Sequence, residues 1–71
     1  MPDAPIPIRL GGQPADVPAG STLADLVAAA GHAADAVATG LNGDFVRRDL
    51  RAATRLAAGD QVLIFQPIVG G

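Results

Sequence analysis

The sequence predicts an α+β domain, one main helix packed on a mixed sheet of four to five strands, and three observations carry that prediction. Apolar segments of strand length lie near both ends, Ile6-Pro7-Ile8-Arg9-Leu10 and Gln61-Val62-Leu63-Ile64-Phe65. Between them Leu23, Leu26, Val27 and Ala30 repeat at i, i+3, i+4 and i+7, the spacing of an amphipathic helix. Gly11-Gly12 and Asn42-Gly43 supply tight reversals beside apolar segments. With 71 residues the chain has room for one small core, and its only aromatics are two Phe, so Ile, Leu and Val must supply the packing.

In the first strand Ile6, Ile8 and Leu10 share one face, with Pro7 and Arg9 on the other. Pro7 argues against a central position, because a strand paired on both sides would lose a ladder bond there. Gly11-Gly12 tolerates the positive φ of a type I′ turn, and a second strand follows through Gln13 to Val17, where Pro14 suits an edge. Ser21 or Thr22 caps the helix, Asp25 lies favourably in its first turn, and Gly31 ends it in the left-handed region.

A loop with His32 leads to a strand ending at Leu41, and Asn42-Gly43 returns the chain through Phe45-Val46. Residues 47–60 read as one turn of helix or an irregular connection before Gly59-Asp60 opens the last strand. No linker or repeat divides the chain, so residues 1–71 form a single domain, with 1–5 an N-terminal extension and 67–71 an extended, flexible tail. This order favours a β-grasp arrangement, first and last strands side by side and parallel.

Composition narrows the function. Seven acidic against five basic residues, scattered along the chain, give no field for nucleic acid or anionic lipid, so neither is an expected partner. No apolar run approaches the ~20 residues of a membrane span, and the N-terminus lacks a signal-peptide pattern; a soluble cytoplasmic protein is expected. Without cysteine there is no thiolate nucleophile or zinc–sulfur site, and without lysine no ε-amine. His32 is the chain's single histidine and reads as a loop residue, the Asp residues form no acid–base pair, and no metal ligand set or phosphate loop is visible. Arg47, Arg51 and Arg55 would share a face if helical, able to grip an acidic partner or phosphates; a solvated face interleaved with Asp49 is the favoured reading.

The run from Val62 to Phe65 cannot bury every side chain beneath one helix, since neighbours point to opposite faces. If Val62 and Ile64 face the helix, Leu63 and Phe65 form an apolar patch on the open face, as a docking surface would. Pro67 ends the ladder, and the four residues beyond it could reach roughly 13 Å past the sheet. Gly70 and Gly71 carry no Cβ, so that end could thread a channel closed to larger residues. A terminal carboxylate resists nucleophiles until activated; adenylation by an ATP-using partner would let a sulfur donor convert it to a thiocarboxylate with no cysteine in this chain.

The segments "PAGSTLADLV", "LNGDFVRR" and "AAGDQVLIFQPIVGG" together resemble the ThiS family, sulfur carriers of bacterial thiamin biosynthesis, essentially without gaps from Ile6 to Gly71. The resemblance implies a ubiquitin-like β-grasp fold and a protein co-substrate, not an enzyme. It implies that Gly71 is adenylated by an E1-like, ThiF-like enzyme and carries the sulfur, with Gly70 its channel-compatible neighbour. A ThiG-like thiazole synthase would receive the sulfur, and a donor such as a cysteine desulfurase would supply it. The carrier would bind no cofactor, ATP being used by the activating partner, and would be a monomer when free. Leu63, Phe65, Gln66, Pro67, Ile68, Val69 and Arg48 are the expected partner contacts; Phe65-Gln66 matches the family's Phe-Gln, and Asn42, Val46 and Arg48 match its middle segment, in structural or docking roles. Pro67-Ile68-Val69 departs toward the Pro-rich tail of the molybdopterin synthase small subunit, so that pathway stays open, as do a ubiquitin-like modifier and a passive interaction module.

Overall fold

The prolines of the N-terminal hairpin fall in phase with its hydrogen-bond ladder. In the computed structural model, which describes residues 4–66, strand β1 (Pro5–Leu10) pairs antiparallel with β2 (Gln13–Pro18), Leu10 opposite Gln13. Gly11 and Gly12 have φ of +60° and +84°, which the two-residue turn requires. That turn makes Leu10–Gln13 a hydrogen-bonded pair, so the alternate pairs Arg9–Pro14, Pro7–Asp16 and Pro5–Pro18 need no N–H across the ladder. All the hairpin's prolines stand in these pairs.

Pro7 is therefore compatible with a central β1, contrary to the expectation from sequence. Its nitrogen faces β5 (Gln61–Phe65), whose parallel pairing with β1 begins only at Arg9–Gln61. At that boundary the Pro7 carbonyl accepts from Gly59 N–H at 2.8 Å, and Arg9 N–H donates to the Asp60 carbonyl at 2.8 Å. On its other side β5 runs antiparallel to β3 (Ala38–Leu41), and β3 to β4 (Asp44–Val46) across Asn42-Gly43. The order β2-β1-β5-β3-β4, first and last strands parallel neighbours, is the β-grasp arrangement with five strands.

Helix α1 (Leu23–Ala29) starts on a capping box: Asp25 N–H donates to Thr22 Oγ1 at 3.1 Å, and Thr22 N–H donates to Asp25 Oδ2 at 3.0 Å. Gly31, at φ +85°, ends it. Its buried stripe is Leu23, Leu26 and Val27; Ala30 sits at the C-cap and is exposed, outside the stripe the spacing suggested. Leu23 and Leu26 join Ile8, Val17, Leu56 and Val62 in the core. Leu56 reaches it because the connection is stitched to the helix start, Leu23 N–H to the Thr54 carbonyl and Leu56 N–H to the Ser21 carbonyl, both at 2.9 Å. The rest of that connection forms a 3-10 helix, Arg48–Ala53, and a shorter one spans Ala34–Ala36. No helix among the described residues is long and apolar enough to cross a membrane.

Candidate docking face

Strand β5 divides its side chains between the two faces of the sheet. Val62 is 1% exposed and Ile64 half-buried beneath the helix, whereas Leu63 and Phe65 are each 46% exposed on the other side. The register places Gly40 of β3 between Leu63 of β5 and Phe45 of β4, and Phe45 is 67% exposed. Gly40 is nonetheless buried, because the Phe65 ring lies across it: a Cβ there would stand 3.7 Å from Phe65 Cζ and 3.9 Å from Leu63 Cβ. Missing side-chain volume in β3 thus lets Phe65 lie against backbone, joining Leu63, Phe65 and Phe45 into one apolar surface. Phe45 was not among the residues singled out from the sequence; the Asn-Gly turn fixes its register opposite Gly40, which was the available signal.

Asn42 holds the start of β5 in place. At φ +52° it occupies the left-handed turn position, its N–H donates to the Gln61 carbonyl at 2.8 Å, and its Oδ1 accepts from Gln61 N–H at 2.9 Å. Its Nδ2 donates to Asp60 Oδ1 at 3.1 Å, while Asp60 Oδ2 caps Ala57 N–H at 2.7 Å. Val46 is half-buried against the core, and its carbonyl accepts from the Thr39 hydroxyl at 2.9 Å. Both matched residues therefore serve the fold. Gln66 is exposed just beyond β5, while Pro67, Ile68, Val69, Gly70 and Gly71 lie outside the described residues.

The arginine segment departs from its expected form. Arg47, Arg51 and Arg55 do not share a solvated face. Arg47 is exposed and holds Asp49 through Nε and Nη2 at 3.2 and 2.9 Å. These hydrogen bonds, with a smaller contribution from the field of Arg48, keep the Asp49 carboxyl below its ordinary pKa. Arg51 is only 3% exposed: Nε donates to Thr39 Oγ1 at 3.0 Å, Nη1 to the Ala34 carbonyl at 2.8 Å and Nη2 to the Val37 carbonyl at 2.7 Å. The adjacent Leu50 is 48% exposed, so the two residues exchange the positions their polarity assigns. Arg48 is exposed and lines a small cleft with His32. Among the described residues no group of three or more His, Cys, Asp or Glu is placed to hold a metal ion.

This sheet order, crossed by one helix and bearing an apolar open face on its middle strand, defines a small protein of the ubiquitin-like β-grasp class. The chain belongs to the ThiS family, whose profile matches residues 8–71. A crystal structure of the thiamine biosynthesis protein ThiS from Geobacter metallireducens superposes with a TM-score of 0.81 at 26% identity, over 93% of this chain and 100% of that one. An NMR solution structure of a thiamine biosynthesis protein from the same organism gives a TM-score of 0.71 at 29% identity, over 93% of this chain and 87% of that one. No curated protein matches at a significant level.

Proposed function

We propose that this chain is a sulfur carrier of thiamine biosynthesis whose Gly71 carboxylate is the reacting group. The observation that carries the reading is the family match, which runs through Gly70 and Gly71. The β5 stripe leading toward them, Leu63 and Phe65, supports it. In the proposed step a carboxylate oxygen of Gly71 attacks the α-phosphorus of ATP on a ThiF-like enzyme, releasing pyrophosphate and forming an acyl adenylate. Sulfide then attacks the carbonyl carbon directly, or, where a donor such as a cysteine desulfurase supplies the sulfur as a persulfide, its terminal sulfur attacks and a thiol reductant cleaves the resulting S–S bond. The C–S bond forms, the C–O bond to AMP breaks, and a thiocarboxylate remains for a ThiG-like thiazole synthase. Every reagent but the carboxylate belongs to a partner, so the chain acts as a co-substrate that docks serially, a task suited to a cytoplasmic monomer.

Docking falls to the open face. Leu63, Phe65 and Phe45 provide an apolar centre with Gln66 at its end, and Pro67, Ile68 and Val69 would carry the terminus from that face into the partner's active site. Intact mass after incubation with ATP, a ThiF-like enzyme and sulfide tests the chemistry. The expected product has one oxygen replaced by sulfur, and it is absent when Gly71 is deleted or one residue is added after it. An unchanged mass, or conversion of the deletion variant, contradicts the reading. Complementation of a thiazole auxotroph then separates the thiamine pathway from molybdopterin synthesis.

A further inference from the structure

We infer that the cleft between α1 and the 3-10 helix Arg48–Ala53 binds a small oxyanion, a carboxylate or inorganic phosphate, through Arg48 and Arg51. Charge is the first reason. The cleft has a volume of about 90 Å³; among the described residues its polar lining is His32, Arg48 and Arg51, with no acidic side chain. The chain as a whole carries more acid than base, so two guanidinium groups lining one recess run against its overall balance.

Burial is the second. Arg51 lies 3% exposed with neutral partners only, the Thr39 hydroxyl and the carbonyls of Ala34 and Val37. A guanidinium has five N–H donors, and these bonds use three of them. The ion pair among the described residues is Arg47–Asp49, so no carboxylate neutralises the buried charge there. A cation set among the Ala and Val side chains of α1 attracts an anion more strongly than the same charge in water.

Arg48 is the third reason. It is exposed and makes no hydrogen bond or ion pair among the described residues, while its neighbour Asp49 is bonded by Nε and Nη2 of Arg47. It stands ready to close on an anion beside Arg51. The cleft is small and partly open to solvent, with room for a carboxylate or phosphate group beside Arg48. The inference needs only the cleft and is independent of the chemistry proposed for Gly71.

The test is a two-dimensional ¹⁵N–¹H NMR titration of the full chain with sodium phosphate and, separately, sodium acetate, each against sodium chloride at matched ionic strength. Expected are saturable shifts of the His32, Ala34 and Arg48 amides, half-complete at about 1 mM or below and not reproduced by chloride. Saturation with phosphate alone identifies free phosphate as the ligand; saturation with acetate identifies a carboxylate, as an acidic side chain of a partner would present. Arg48→Ala, at an exposed position, should keep the folded spectrum and weaken binding at least about tenfold, with Arg48→Lys intermediate. Shifts that stay linear and equal to those in chloride overturn the inference, as does saturation that Arg48→Ala leaves unchanged.

Discussion

Replacing Arg51 by Met tests whether this guanidinium is a structural part of the fold. Methionine retains most of the unbranched apolar stem, so little cavity opens, and the change isolates the donors. Three acceptors lose them: the Val37 carbonyl and Thr39 Oγ1 in buried contacts, and the Ala34 carbonyl in a part-buried one that water can replace. Thr39 still donates to the Val46 carbonyl at 2.9 Å, so its hydroxyl is not orphaned outright. At about 1–3 kcal/mol for the Val37 carbonyl left without its donor and about 1 kcal/mol for the Thr39 contact, the loss comes to roughly 2–4 kcal/mol. Relief of the buried charge offsets part of it, leaving about 2–3 kcal/mol. A domain of this size holds some 4–11 kcal/mol in total, at about 0.05–0.15 kcal/mol per residue.

Urea unfolding followed by far-ultraviolet circular dichroism reads the effect, since the chain has no Trp or Tyr for fluorescence. With a slope of about 1 kcal/mol per molar urea, the midpoint should fall by roughly 2–3 M. Arg47→Met is the control: it removes an exposed, solvent-screened pair at 2.9 Å and should leave the midpoint little changed. Equal midpoints for the two variants would refute the structural role of Arg51 and restore the solvated arginine face.

Phe65→Arg should weaken binding to a ThiF-like enzyme at least about tenfold, measured by calorimetry, with an unchanged circular dichroism spectrum; loss of folding would contradict the exposed placement of its ring. Gly40→Leu should displace that ring, because even a Cβ at Gly40 lies 3.7 Å from Phe65 Cζ, and an unperturbed Phe65 ring signal by NMR would contradict the contact. Thr22→Ala removes the side chain that accepts from Asp25 N–H at 3.1 Å and should cost about 1 kcal/mol in urea unfolding, whereas a change within error would deny the cap a role. Asp49 has a folded pKa below its ordinary value, so its small contribution to stability is present above the unfolded pKa and is lost as pH falls through the folded one. Arg47→Ala should raise the Asp49 titration midpoint seen by carboxyl-detected NMR, and an unmoved midpoint would remove Arg47 as the cause.

What was legible in the sequence follows from how local each cause is. The capping box needs only Thr22 and Asp25, three residues apart, and the turns at Gly11-Gly12 and Asn42-Gly43 need only their own backbone freedom. The alternation of Val62 to Phe65 divides that strand between two faces wherever it sits. The role of Pro7 is not legible locally because it depends on the register between β1 and β5, set by chain segments some fifty residues apart. The burial of Arg51 is illegible for the same reason. Nothing in "RRDLRAATR" distinguishes it from its neighbours; its burial is decided by Thr39, Ala34 and Val37, which the fold brings to it from another part of the chain.

The sheet also separates core from open face along a single strand. Val62 and Ile64 contribute to the core, so changes there act through folding. Leu63 and Phe65 face away from it, where residues can change with less effect on stability. Gly40 couples the two, because the Phe65 ring rests on its backbone and Gly40 is held by β3 against β5. Asn42 extends that coupling to the start of β5, bonding both the Gln61 backbone and the Asp60 side chain. A loosened Asn42 would therefore free the turn-side end of β5 and change how Leu63 and Phe65 are presented before it exposed the core. Docking should be lost at milder perturbation than folding, and Asn42→Ala separates the two: weakened binding to the activating enzyme with a retained cooperative urea transition is the expected result, and their loss in parallel would place Asn42 in the stability of the fold alone.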